Sequence, residues 1–333
     1  MDGGRVVARL SRSRSALLGG WLILALLAFT LAAPLATRHG PLESDFLRGM
    51  TAQETPVGPC ADFPLGADHL FRDVLSRLAY GGRLSLAIAV SATALATALG
   101  TAVGLVAGWT EGQMVRVPWT FVVGAAGTAA AYGLGRGWLA GGVALTATIA
   151  TIAGRRRGLR VDIDGWLMRL IDVWLAFPFL LLVMALGAAL EQATVWTIGL
   201  TLGMTGWLGI ARVLRAKTLQ VRALEFVEAS RALGQSTGGI LLRHILPNVA
   251  GPLIVMSTIL VSQMIVADSV LSYLGLGLSP PTPTWGRMLF EGKDDVVAAP
   301  WLVAAPACAI LAAAFAFNLL GDGLRDALDP PDA

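Results

Sequence analysis

Between Val221 and Asn248 the chain reads VRALEFVEASRALGQSTGGILLRHILPN, a polar stretch with Arg222, Arg231 and Arg243 beside Glu225 and Glu228. It lies between two apolar runs, roughly 194–210 and 249–271. A basic loop between two membrane spans belongs on the cytoplasmic side. Leu219, Leu224, Val227, Ala232 and Leu233 permit a short amphipathic helix; Gly234, Gly238 and Gly239 then break it before a second short run, Ile240 to Leu246. Pro247 follows, where a missing N–H costs little in the first turn of a helix. The physical reading is a helix-turn-helix ledge at the inner membrane face that offers small residues, Ala229 and Ser230, for close contact with something soluble.

The whole chain reads as an integral membrane protein. Of 333 residues 55% are hydrophobic and 14% charged, mean hydropathy is +0.68, and several apolar runs approach the roughly 20 residues that a helical span needs. Cys60 lies in a loop and Cys308 in an apolar run, so neither a disulfide framework nor a metal knuckle is indicated. His39, His69 and His244 are isolated from one another. The chain lacks a G-x-x-x-x-G-K-[ST] loop, an H-E-x-x-H pair and a G-x-S-x-G elbow, which argues against an intramembrane enzyme. Four arginines at 155–160 orient a membrane segment more readily than they bind nucleic acid, and no nucleic-acid partner is expected.

Glu228, Ala229, Ser230, Gly234, His244, Ile245, Leu246 and Pro247 resemble the "EAA" coupling loop of permease subunits in binding-protein-dependent ABC importers. The RHILPN ending resembles the dipeptide/oligopeptide branch, and Ser230 stands where the family has a second Ala. The resemblance implies an all-α, polytopic membrane fold with a six-helix permease core. It implies a coupling loop at 212–247 that seats on an ATPase subunit, with Glu225, Glu228, Ala229, Ser230, Gly234, His244, Leu246 and Pro247 at the contact. The chain would be the C-type subunit, partnered by a B-type permease, two cytoplasmic ATPases and an extracytoplasmic substrate-binding protein. It would bind no cofactor, ATP and Mg2+ belonging to the ATPase subunits. The implied cargo is a dipeptide or short oligopeptide, with nickel chelates, glutathione or another small solute as alternatives in the same branch. A secondary transporter would share the hydropathy but would not need such a loop.

Taken in order, residues 1–36 carry four arginines and then the apolar run Ala16 to Leu35, read as a retained first span with a cytoplasmic N-terminus or, alternatively, as a cleaved signal. Residues 37–80 read as a proline-punctuated outer loop with short helices. Its end is similar to the family's entrance to the second core helix, with Phe71 where a Gly is usual before the Arg-Asp pair. The second span, about 84–109, carries Gly100, Gly104 and Gly108 at intervals of four, a ridge on which another helix can approach closely.

The family core passes from its second to its third span through a short connection, so 117–153 reads as an inserted membrane hairpin, spanning or re-entrant, with both ends inside. Arg169, Asp172, Phe177 and Pro178 match the third core span, and Pro178 should kink it. Glu191 and Gln192 read as an outer turn. Gln263 and Asp268 on the following span are candidates for pathway or interhelical polar contacts, since a carboxylate there is expensive to expose to lipid. GLGLSPPTPTWG should form an outer elbow. Ala298 to Leu320 is the last span and 321–333 a cytoplasmic tail. The expected location is the bacterial inner membrane with both termini in the cytoplasm.

Overall fold

The computed structural model describes residues 9–11, 13–32, 37, 39–118, 158–189 and 193–328. Among the described residues five helices are long and apolar enough to cross a membrane, and a pair bent by 90° makes a sixth span when its two halves are counted as one broken crossing. In chain order they are α1 (Arg14–Leu31), α2 (Val74–Thr110), the pair α3 (Ile163–Leu175) and α4 (Phe179–Ala189), α5 (Val195–Arg222), then, after α6 (Glu225–Ala232) and α7 (Thr237–Ile240), α8 (Leu246–Tyr273), and, after α9 (Trp285–Gly292), α10 (Trp301–Leu328). Five or six helical spans agree with the expected all-α, polytopic core. One departure from an all-helical chain is a two-stranded antiparallel ribbon, β1 (Met114–Pro118) with β2 (Gly158–Asp162). Val117 and Pro118, read above as the start of a membrane arm, therefore lie in a strand, and the ribbon brings the two ends of the insert side by side. The rest of the 117–153 hairpin, like the Glu191–Gln192 turn, lies outside the described residues.

Packing is organised by α2 and α5, which run parallel in close contact. A Cβ built at Gly100 would sit 2.7 Å from Ile210 Cβ, one at Gly104 2.6 Å from Leu214 Cβ, and one at Gly108 2.6 Å from Thr218 Cβ. Only a hydrogen at these positions lets the α5 backbone come so near, which is how small residues hold membrane helices together. α10 packs on both α8 and α1, and Gly19 and Gly323 seat the first helix against the last.

Several boundaries differ from the sequence reading, each for a local reason. α2 starts at Val74 rather than near 84, because the Asp73 carboxylate caps it by accepting from Leu75 N at 2.9 Å. The third span is not kinked but broken: α3 and α4 meet at 90° across Ala176–Pro178. Proline lacks the N–H that would continue the ladder and biases Phe177 toward an extended backbone. α10 continues to Leu328, so 321–328 is helix rather than tail.

The segment 39–73 contains no helix among its described residues, contrary to expectation. Prolines interrupt it, and it is held by turns and by bridges pairing Ser44 with Arg72, Met50 with Pro56 and Ala67 with Asp73. Phe63 is fully buried beneath it, stacked on His39 at 5.0 Å between centroids. Phe71, at the position where the family pattern has Gly, adopts φ +59°. That left-handed residue closes the turn in which Asp68 accepts from Arg72 Nε at 2.7 Å and from Arg72 N at 2.9 Å. Arg72 and Arg77 both reach Glu291 on α9, at 3.2 and 2.6 Å, and Arg287 joins it at 3.0 Å. Arg77 also faces Asp68 at 3.4 Å. A charged network therefore pins the outer segment to α9.

Two outcomes test this packing. Gly104→Leu should destabilise the purified protein by about 1–3 kcal/mol or prevent its accumulation, as overpacking does, whereas Val106→Leu on the exposed face of α2 should leave the melting temperature in detergent unchanged. At Phe71, Gly should be tolerated better than Ala by about 1 kcal/mol in the same melt, because both lose the edge contact with Phe46 (5.2 Å between centroids) but only Gly is relieved of the left-handed strain.

Candidate functional site

The ledge is two helices folded back on one another. α5 carries on past its apolar portion to Arg222, and α6 follows after a two-residue corner. Gly234 at φ +76° then reverses the chain, a conformation that L side chains resist. Ser236 caps α7 by accepting from Gly239 N at 3.3 Å. From Thr237 the helix is continuous into the membrane segment through one π turn, Leu241–Ile245, in which Leu246 N donates to Leu241 O. Pro247 is thus inside a continuous rod, one residue beyond a wider turn, rather than at the start of a separate helix.

Burial on this ledge runs opposite to a simple amphipathic expectation. Val227, Ile240 and Ile245 are buried and hold it to the bundle, but Leu224, Phe226 and Leu242 are exposed and Leu233 is 88% exposed. Glu225, Glu228, Ala229, Gly234 and Pro247 share that exposure, while Ser230, His244 and Leu246 are half-buried. The Ser230 hydroxyl is turned back onto Phe226 O at 2.8 Å. His244 Nε2 and Gln235 Oε1 are hydrogen-bonded at 3.0 Å, fastening α6 and its turn to the returning helix. The result is an apolar and acidic surface on a braced support, a pattern that marks an interaction site.

Arginines that the sequence reading left unassigned tie this ledge to the helices above it. Arg222 donates to the carbonyls of Gly108, Trp109 and Glu111 at 3.1, 2.8 and 3.1 Å, satisfying acceptors that the end of α2 leaves open. It also pairs with the Glu111 carboxylate at 3.3 Å. The Arg231 guanidinium lies 4.2 Å over the Trp109 ring. Arg215 forms a bidentate pair with the buried Asp164 of α3, at 2.5 and 2.6 Å. Asp172 pairs with Arg212 on α5 rather than with Arg169, its neighbour three residues back. The only signal in the sequence was a rise in arginine at the polar end of a span.

The break between α3 and α4 opens a cavity of about 560 Å3 against α5 and α8. Trp174, Leu175, Phe177 and Phe179 line one side, and Gly206, Gly209, Met256 and Met264 line the other. Polar groups enter through Thr205 and Gln263. Gln263 is therefore on the cavity wall. Asp268 is not: it is fully buried between helices, adjoining Ser85 of α2. Pro178 lies at the break that shapes the cavity, and the three ridge glycines lie in the α2–α5 contact. Among the described residues no group of three or more His, Cys, Asp or Glu is placed to hold a metal.

Residues 142–331 match the family described as binding-protein-dependent transport system inner membrane component. The chain is 35% identical over 312 residues to the oligopeptide transport system permease protein OppC of Escherichia coli K12, covering 93% of this chain and 85% of that one. It is 33% identical to the dipeptide transport system permease protein DppC of Bacillus subtilis 168, over 97% and 83% of the two chains. To the di/tripeptide transport system permease protein DppC of Pseudomonas aeruginosa it is 34% identical, over 94% and 87%. An extended match to the family, near-full-length likeness to its permeases and a helical core that carries an exposed two-helix ledge lead to one assignment: this chain belongs to the binding-protein-dependent transport system inner membrane components.

Proposed function

We propose that this chain is the C-type permease subunit of an ATP-driven importer for dipeptides or short oligopeptides. The observation that carries the reading is the ledge, with Leu233 and its neighbours bare on a rigid support. A leucine left 88% exposed is accounted for when a partner covers it. That partner is an ATPase subunit on the cytoplasmic side, one of two that bind ATP and Mg2+. A B-type permease completes the membrane portion, and a substrate-binding protein delivers cargo to the outer end. The N-terminus and α10's last residues then both lie in the cytoplasm. Peptide specificity comes from the likeness to peptide permeases over most of the chain.

Mechanically, the ledge is joined to α2 and α5 as one body through Arg222, the Trp109 contact and the glycine ridge. Movement of an ATPase against α6 is therefore delivered to both helices together. The cavity between the α3–α4 break and α5 offers a volume in the range of small-molecule sites, about 300–1,000 Å3. Its mixed apolar and amide lining suits a short peptide in transit, whose backbone needs polar partners while its side chains vary. Asp268, away from this wall, acts as an interhelical group.

Reconstitution of the chain with its partner subunits tests the reading by peptide uptake and peptide-stimulated ATP hydrolysis. Glu228→Lys and Leu233→Asp should each reduce ATPase association and stimulated hydrolysis severalfold with membrane insertion unchanged; normal association and full uptake would remove the ledge from the mechanism. Gly209→Trp offers an independent check. A Cβ at Gly209 meets nothing within 4 Å, so the ring should fill the cavity without disturbing the fold. Uptake should fall at least tenfold while ATPase association persists, and an unaltered uptake rate would place the route elsewhere.

A further inference from the structure

Two rigid parts of the chain meet at the cavity in different ways. α2 and α5 interlock through the glycine ridge and the Arg222 contacts, so they move together. α3 approaches α5 closely at few points, and the two are spanned instead by two ion pairs. The lower pair, Asp164 with Arg215, is bidentate, and its carboxylate is 7% exposed. The upper pair, Asp172 with Arg212, is about 12 Å farther along α3, eight residues at the helical rise, and its side chains are 64% and 47% exposed.

The upper pair sits where a gate would sit. Trp174 and Leu175 on α3 and Gly209 and Ile210 on α5 line the cavity. Asp172 and Arg212 lie two or three residues from them, each toward the ledge end of its own helix, and bridge the gap between those helices. One ion pair therefore crosses the lip of the cavity on the side facing the ledge. An exposed pair contributes little stability and is readily broken, whereas a bidentate pair with a buried carboxylate holds. α3 is thus fixed near its start and only latched near the break at Ala176–Pro178.

Resting on the transport function proposed above, we infer that Asp172 and Arg212 are gating residues. They close the ledge-facing mouth of the cavity, and the pair separates each time cargo leaves. Arg212 shares α5 with Arg215 and Arg222, so displacement of the ledge pulls the guanidinium from Asp172 while the Asp164 anchor serves as the pivot. Neither residue need touch cargo; they act by setting the distance between α3 and α5.

The test uses the complete importer with its partner subunits, after replacing Cys60 and Cys308 by Ser. In the double variant Asp172→Cys with Arg212→Cys, a short reducible bis-methanethiosulfonate cross-linker should lower peptide uptake at least tenfold, and dithiothreitol should restore it. A pair that only braces the fold has no need to open, so uptake unchanged by complete cross-linking overturns the inference. Charge reversal is the second arm, and it decides where the cysteine pair itself lowers uptake. Asp172→Arg and Arg212→Asp alone should each raise peptide-independent ATP hydrolysis severalfold, and the combined swap should bring it back toward the starting level; two independent losses without mutual rescue would also overturn it. If the unaltered importer takes up no peptide, the transport reading itself fails. If it does and the cross-link is silent, only the latch fails.

Discussion

The close approach of α2 and α5 is the constraint on which the remaining structure depends. Three glycines four apart permit backbone contact along the half of α2 nearer the ledge, and each position would clash with α5 if it carried even a methyl group. In hydrocarbon no water is released by bringing apolar helices together, so such contact has to come from shape. Once the two helices are locked, the end of α2 falls beside the end of α5, and Arg222 can cap the α2 carbonyls while Arg231 covers Trp109. The ledge inherits its rigidity from that junction. Val227, Ile240 and Ile245 then finish the attachment from beneath.

Against this fixed pair stands a span that is interrupted by design of its sequence. Pro178 ends the helical ladder, α4 leaves at a right angle, and aromatic side chains on either side of the break line the cavity. In the proposed mechanism stability and opening fall to different helices: the interlocked ones would carry force, and the broken one borders the space. The charged groups at the opposite end obey a similar division. Asp68, Arg72, Arg77, Arg287 and Glu291 pair among themselves, anchoring the 39–73 segment to α9 and leaving few polar groups to disturb the span beneath.

Much of this was legible in the residues because membrane helices announce themselves by length and apolarity, and because the glycine interval and the proline have direct backbone consequences. The ridge spacing located a contact face, though not that α5 would occupy it. Pro178 indicated a deformation, but its size depends on whether neighbouring helices support the far side, and here the chain turns through 90°. Leu233 was misleading: periodicity reads an apolar residue on a polar helix as core, and it is instead the barest leucine on the ledge. The pairing of Asp172 with Arg212 was out of reach because a neighbour at helical spacing, Arg169, was an equally good partner on local grounds. The strand at 114–118 was hidden by its apolar continuation, since a short β segment joined to a hydrophobic run has no periodicity of its own.

The bare leucines at 233 and 242 and the phenylalanine at 226 also bear on the life of the chain before assembly. A patch of this kind in aqueous surroundings is what chaperones and quality-control proteases recognise, and it adheres to similar patches on other molecules. Chains made in excess of the subunit that covers the ledge would carry it uncovered, and their lifetime would be set by how soon a partner arrives. On the proposed function, the surface that receives the ATPase would therefore also count copies, tying the abundance of this membrane chain to the supply of its soluble partner.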